Sequence, residues 1–232
     1  ELAEWHRNEG RMGRAEKYFL SMVHALAGID RSHTDSNSDN FLPASTALAL
    51  SSDPRRYESL RNIALNLYGD TKERLVAERT LKACLLKPVP DAELRRMKKM
   101  VEFIEGPAAD GSAEAMEKRS LGEWEYFALA FFHYREGDDD LAEAWARRGL
   151  VRESRDPTCG PAKKAVLGLA LLRQGKREEA MGALKSVVNE AGDRLRGNPP
   201  HGNVATGFWW DWMNLRILLE EAGWSAEAGW QE

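Results

Sequence analysis

Arg135 and Arg173 stand 38 residues apart, and each lies two positions before a glycine, Gly137 or Gly175, that follows an apolar run. A guanidinium is planar, permanently charged and able to grip a carboxylate with two parallel N–H bonds. Upstream of Arg135, Trp124, Phe127, Phe131 and Tyr134 recur at helical spacing, and Leu169 and Leu172 precede Arg173. Together these eight residues read as an aromatic and aliphatic strip ending in two arginines one repeat apart. Aromatic and arginine side chains dominate protein-binding hot spots, so the strip is a candidate peptide-binding groove. Its ligand would be an acidic or carboxylate-ended segment. The alternative is structural: the aromatics pack on preceding helices and the arginines pair with neighbouring acids.

Other reactive residue types are present without the spacing that chemistry needs. His6, His24, His33, His133 and His201 are scattered, and Cys84 and Cys159 match neither a disulfide framework nor a zinc site. Asp35 to Asp39 imitates the start of a calcium loop, but Asn40 stands where a glycine turn is needed and Thr46 where a bidentate Glu belongs. Asp138, Asp139 and Asp140 suit a helix N-terminus, where carboxylates cap and meet the positive end of the dipole. The basic run Arg95 to Lys99 reads as a solvated helix face. A kinase glycine-rich loop, His-Arg-Asp, Asp-Phe-Gly, Gly-x-Ser-x-Gly, His-Glu-x-x-His and a Walker loop are all missing from the sequence. The expectation is a chain without catalysis, cofactor or metal. Its net charge of -4 gives no reason to expect nucleic acid. No apolar run reaches the roughly 18 residues that span a bilayer, and no signal peptide is visible, so no membrane contact is expected.

The elements that must carry these residues repeat. Setting Gly137 on Gly175 brings Leu129 onto Leu167, Ala130 onto Gly168, Arg135 onto Arg173 and Ala142 onto Ala180. In each copy an apolar helix stops at glycine, a polar turn follows, and a second helix places alanine five residues on, where backbones can approach. Gly10, Ala15 and Phe19 are a weaker third copy. This resembles the tetratricopeptide (TPR) hairpin, whose usual period is about 34 residues. In chain order, the pattern predicts a hairpin over Leu2 to Leu26, a loop over Asp30 to Asn40, and a short helix from Pro43 to Leu50. Asp53-Pro54 opens a helix ending at Gly69, Thr71 caps one running to Leu86, and Asp91 caps one with Leu94, Met97, Val101 and Ile104 buried. Gly106 to Ser112 is the boundary between an N-terminal block, 1–105, and two hairpins with a closing helix, 113–232, the whole running as one all-α, TPR-like superhelix. The closing helix, Phe208 to about Ala222, is apolar nearly all round and reads as a cap. Its Trp209, Trp210 and Trp212 are the competing interface, for a spacer or homodimer.

Certain stretches resemble one known arrangement: Gly10-x4-Ala15, Ala77-Glu78-Arg79-Thr80-Leu81-Lys82-Ala83-Cys84-Leu85-Leu86-Lys87-Pro88, the paired hairpins, and Trp209-Trp210-Asp211-Trp212 with Leu218 to Ala222. Over nearly the whole chain they are similar to the C-terminal TPR region of serine/threonine protein kinases from planctomycete and verrucomicrobial bacteria. The resemblance implies a non-catalytic module appended to a kinase and used for protein contacts. The module would be cytoplasmic, or extracytoplasmic if its parent is membrane-anchored. A start at Glu1 rather than methionine fits a piece of something longer. At Gly223 to Glu227 the chain departs from the family, which usually continues there with a charged helix.

Overall fold

Asp53 accepts a hydrogen bond from the Arg55 backbone N–H at 3.2 Å, and Pro54 supplies a preset φ at the first helical position. Such local signals open several helices of a chain that is mostly helical. A computed structural model describes residues 2–28, 34–106 and 121–230. Its α-helices, in chain order, are α1 (Leu2–Asn8), α2 (Met12–Leu26), α3 (Thr34–Asp39), α4 (Phe41–Ala49), α5 (Pro54–Tyr68), α6 (Arg74–Cys84) and α7 (Asp91–Glu105). They continue with α8 (Glu123–Glu136), α9 (Asp139–Leu150), α10 (Cys159–Arg173), α11 (Arg177–Ala191) and α12 (Trp209–Glu221). No helix among the described residues is long and apolar enough to cross a membrane.

The two equivalent glycines end their helices in the same way. Gly137 has φ +96° and Gly175 has φ +77°, values in the left-handed region that glycine enters without a Cβ clash. Beyond each, a backbone N–H turns back to the helix: Asp138 to the His133 carbonyl and Lys176 to the Leu171 carbonyl, both at 2.9 Å. Ala142 and Ala180 are fully buried where their helices meet the preceding ones. Helix α8 packs on α9, α9 on α10, and α10 on α11, so the hairpins stack in series. On the other side of residue 106, α7 and α6 pack directly against α8. The proposed boundary at Gly106 to Ser112 is described at Gly106 alone; the rest of it lies outside the described residues.

Several local expectations change. Asp91, read as a cap, is the first residue of α7, with Pro90 before it and no side-chain cap. Residues 34–39, read as loop, form α3, which packs on α6 and α4; tertiary contact overrides a composition that favours turns. Helix α6 starts at Arg74 and stops at Cys84. Thr71 accepts from the Glu73 N–H at 3.2 Å instead of capping the helix. At its far end the buried Tyr57 hydroxyl donates to the Ala83 carbonyl at 2.8 Å and accepts the Leu86 N–H at 3.0 Å, which replaces a further helical turn. After α12 the chain forms a two-residue antiparallel ribbon pairing Trp224 with Trp230.

Helix α12 does not cap one end. It packs on α10 and α4, and its side chains reach further: Trp209 Nε1 donates to Glu4 of α1 at 3.0 Å, and Tyr134 of α8 donates to Glu221 at 2.7 Å. A helix apolar on all sides needs cover on all sides, and here the rest of the chain supplies it.

Candidate functional site

Glu78 and Lys82 are four residues apart on α6 and share a face, so their charged ends converge. Asp211 enters the same place from the first turn of α12. Lys82 Nζ lies 3.3 Å from Glu78 Oε1 and 3.9 Å from Asp211 Oδ1, and 3.6 Å from the centroid of the Trp124 ring. Trp124, on α8, presents its ring face to Lys82 and is held by its indole N–H, which donates to Asp156 at 3.2 Å. Glu78, Lys82 and Asp211 are each about 5% exposed or less. Three ionisable groups in so dry a place are held there by the packing of α6 against α8 and of α12 against α4.

Burial raises the Glu78 pKa above the usual carboxylate range, against the attraction of Lys82. Asp211 is pushed up to about 7, by burial first and then by the neighbouring acids Asp156, Glu78 and Asp39, with Lys82 opposing. For Lys82 burial works towards the neutral form, but Glu78 and Asp211 outweigh it and hold the ammonium above its ordinary value. Lys82 holds Glu78 at 3.3 Å by charge and hydrogen bonding but reaches Asp211 by charge alone; Asp211 Oδ1 accepts no hydrogen bond among the described residues. A carboxyl that titrates near neutrality, beside an ammonium and an indole face, can hold a proton, give it up, or orient a polar ligand. The cluster opens into a cavity of about 410 Å³ whose wall includes Phe208 and Trp210.

The strip expected from sequence is placed differently. Phe127, Phe131, Tyr134 and Leu169 are buried, Trp124 and Leu172 partly so, and they form the interior face of the hairpins. Arg135 and Arg173 do converge on the Tyr134 ring, at 5.3 Å and 4.7 Å from its centroid. Neither guanidinium is free. Arg135 pairs with both oxygens of Glu221, at 2.6 and 2.8 Å, and donates to the Leu85 and Leu86 carbonyls. Arg173 donates to the Tyr134 carbonyl at 2.7 Å and pairs with Asp139 at 3.1 Å. The expectation of an open groove is corrected: the carboxylate that Arg135 grips belongs to the chain's own α12, and the packing alternative describes the aromatics. The competing interface is corrected too. Trp209, Trp210 and Trp212 are 1%, 6% and 3% exposed against the same chain and present no face to a second copy.

No family model, curated protein or solved structure matches this chain. The site therefore stands on its geometry. Sequence reasoning singled out the stretches containing Glu78, Lys82 and Asp211 but gave their charges no role. The available signal was a charge embedded in an apolar run: Lys82 between Leu81 and Ala83, and Asp211 amid three tryptophans. The two cysteines are free and buried, and burial pushes both thiols up to about 12, which leaves them neutral packing groups.

Proposed function

We propose that the chain is a helical-repeat interaction module of the TPR type, itself non-catalytic and working in the cytoplasm within a larger bacterial protein of the serine/threonine kinase class. The observation that carries this reading is the matched pair of helix ends at Gly137 and Gly175, each followed by a buried alanine at the same offset. Hairpins stacked in series build extended surfaces, and such surfaces hold other chains. A second fact supports it: residues from the two stretches on which the kinase-region resemblance rests meet in space, Glu78 and Lys82 with Asp211. The surface that α12 covers is suited to an apolar helix ending in an acid, because α12 is such a helix and Glu221 sits on Arg135. A partner of that chemistry would compete with α12 for the same face.

The test is capture from native lysate by the wild-type chain and by Glu221→Ala, which frees Arg135, followed by titration of the captured segment. The reading expects an acidic helical segment that binds the variant more tightly. It is abandoned if neither chain retains a specific partner, or if the retained segment binds both equally.

A further inference from the structure

The cavity beside Lys82 measures about 410 Å³, within the size range of small-ligand sites. Two of the residues that line it, Glu78 and Asp211, are 4% and 5% exposed; Glu78 Oε1 has the Lys82 ammonium at 3.3 Å, whereas Asp211 Oδ1, 3.9 Å from it, accepts no hydrogen bond among the described residues. One ammonium set between two carboxylates leaves a negative charge uncompensated, and a dry carboxylate in that state draws in a proton or a cation. The surroundings have the same sign. Asp39 of α3, Glu123 of α8 and Asp156 of the α9–α10 loop line the cavity with Glu78 and Asp211, against Arg79, Lys82 and Arg155. Arg79 is itself paired, 3.5 Å from Asp39. The thiol of Cys159 nearby is neutral. Beside the acids, the rings of Phe208 and Trp210 stack at 4.4 Å and give an apolar wall.

We propose that this cavity is a binding site for an organic cation, an ammonium or guanidinium group on a short apolar stem, received at Asp211 on the side away from Lys82, with the stem along Phe208 and Trp210. The cation supplies the N–H donor that Asp211 Oδ1 lacks and cancels the charge that Lys82 leaves unmatched. The aromatic wall adds hydrophobic contact along the stem and attraction for the charged head. Free small amines or guanidines and the side chain of an arginine or lysine in a peptide share this chemistry. The inference stands apart from the reading as a repeat module, since a free small molecule tests it without any protein partner.

Agmatine and the peptide acetyl-Gly-Arg-Gly-amide, titrated separately into the full chain with tryptophan fluorescence and calorimetry as readouts, test the site. Saturable binding of either probe is expected, with agmatine alone identifying a free ligand and the peptide alone a protein side chain. Asp211→Asn should weaken binding by at least about tenfold. Val204 lines the mouth and is 63% exposed, clear of the buried cluster. Val204→Trp should therefore block entry while the melting curve stays that of the wild type. In the wild-type chain, affinity should rise between about pH 5.5 and about pH 8, as Asp211 releases its proton to solvent and meets the incoming charge as a carboxylate. The proposal is overturned if neither probe binds, if Asp211→Asn and Val204→Trp bind like the wild type, or if glutamate binds better than agmatine.

Discussion

Helix α12 carries an acid near each end, Asp211 buried and Glu221 with 28% of its side chain exposed, and the two behave in opposite ways. Glu221, at the C-terminal end, is met by the fork of Arg135 and by the Tyr134 hydroxyl. Burial alone would raise its pKa, yet the hydrogen bonds and charge of Arg135, with Tyr134, bring it below the ordinary value of 4.5. Asp211, at the N-terminal end, has the ammonium of Lys82 at 3.9 Å and an oxygen without a donor, and its pKa stands at about 7. The backbone dipole should favour a negative charge at Asp211 and oppose one at Glu221, the reverse of what is seen. Donor geometry therefore outweighs both burial and dipole. An acid whose lone pairs are filled is a fastener, and one whose lone pairs are empty is available for chemistry.

The pH dependence of stability follows with opposite signs. Glu221, depressed in the fold, contributes stability above its unfolded pKa that is lost as the pH falls through the folded value. Asp211, raised in the fold from 3.8 to about 7, removes stability progressively as the pH climbs between those values.

The largest effect should come from breaking the fastener. The Arg135 side chain is 4% exposed and the Glu221 side chain 28%, so removing Arg135 takes away the charged hydrogen bonds to Glu221 and the bonds to the Leu85 and Leu86 carbonyls, while water reaches part of the acid left behind. Arg135→Ala should cost about 3 kcal/mol in a urea melt at neutral pH. The loss should shrink as the pH falls below the ordinary value of 4.5 and Glu221 takes up a proton. A loss that stays the same across that range would mean that the lost bonds to the Leu85 and Leu86 carbonyls, not the charge pair, account for the effect.

The other end of α12 should give a smaller change of the reverse sense. Asp211→Asn keeps the shape and removes the ionisation. Relative to wild type, the variant should gain about 2–3 kcal/mol on going from pH 5 to pH 8, because only the wild type must then hold a dry carboxylate. Glu78, also raised, remains in both chains and its share cancels to first order. Melting curves at the two pH values measure this directly, and parallel shifts of both proteins would show that Asp211 is already ionised at the lower pH.

The difference between the two ends also explains what could be read from the sequence. Gly137 and Gly175 announced matching helix ends because a left-handed C-cap depends on local residues, and Ala142 and Ala180 announced close crossings for the same reason. The stripe Leu94, Met97, Val101 and Ile104 on α7 was legible from period alone. The partners of Arg135 and Asp211 were not. Glu221 lies 86 residues from Arg135, and no local rule pairs them. The same holds for Lys82 and Asp211, which meet only because α12 returns through the molecule to lie on α4 and α10. The apolar circumference of α12 said that it needed cover on every side. It did not say which helices would provide it.

The smallest effects should separate packing from charge. Ala142 and Ala180 have no exposed surface, so a leucine at either site must push two helices apart. Gly168 shows how close one such crossing is, since a Cβ there would come within 2.5 Å of the Leu184 side chain. Ala142→Leu and Ala180→Leu should each cost about 1–3 kcal/mol. Neither substitution touches an ionisable group at the ends of α12, so the loss should be the same at pH 5 and pH 8, unlike that of Asp211→Asn. Thermal scans at both values decide it. A pH-dependent loss at Ala142 would mean that the α8–α9 crossing and the grip of Arg135 on Glu221 move together, whereas two variants that melt like the parent would mean that the repeat register built on Gly137 and Gly175 is wrong.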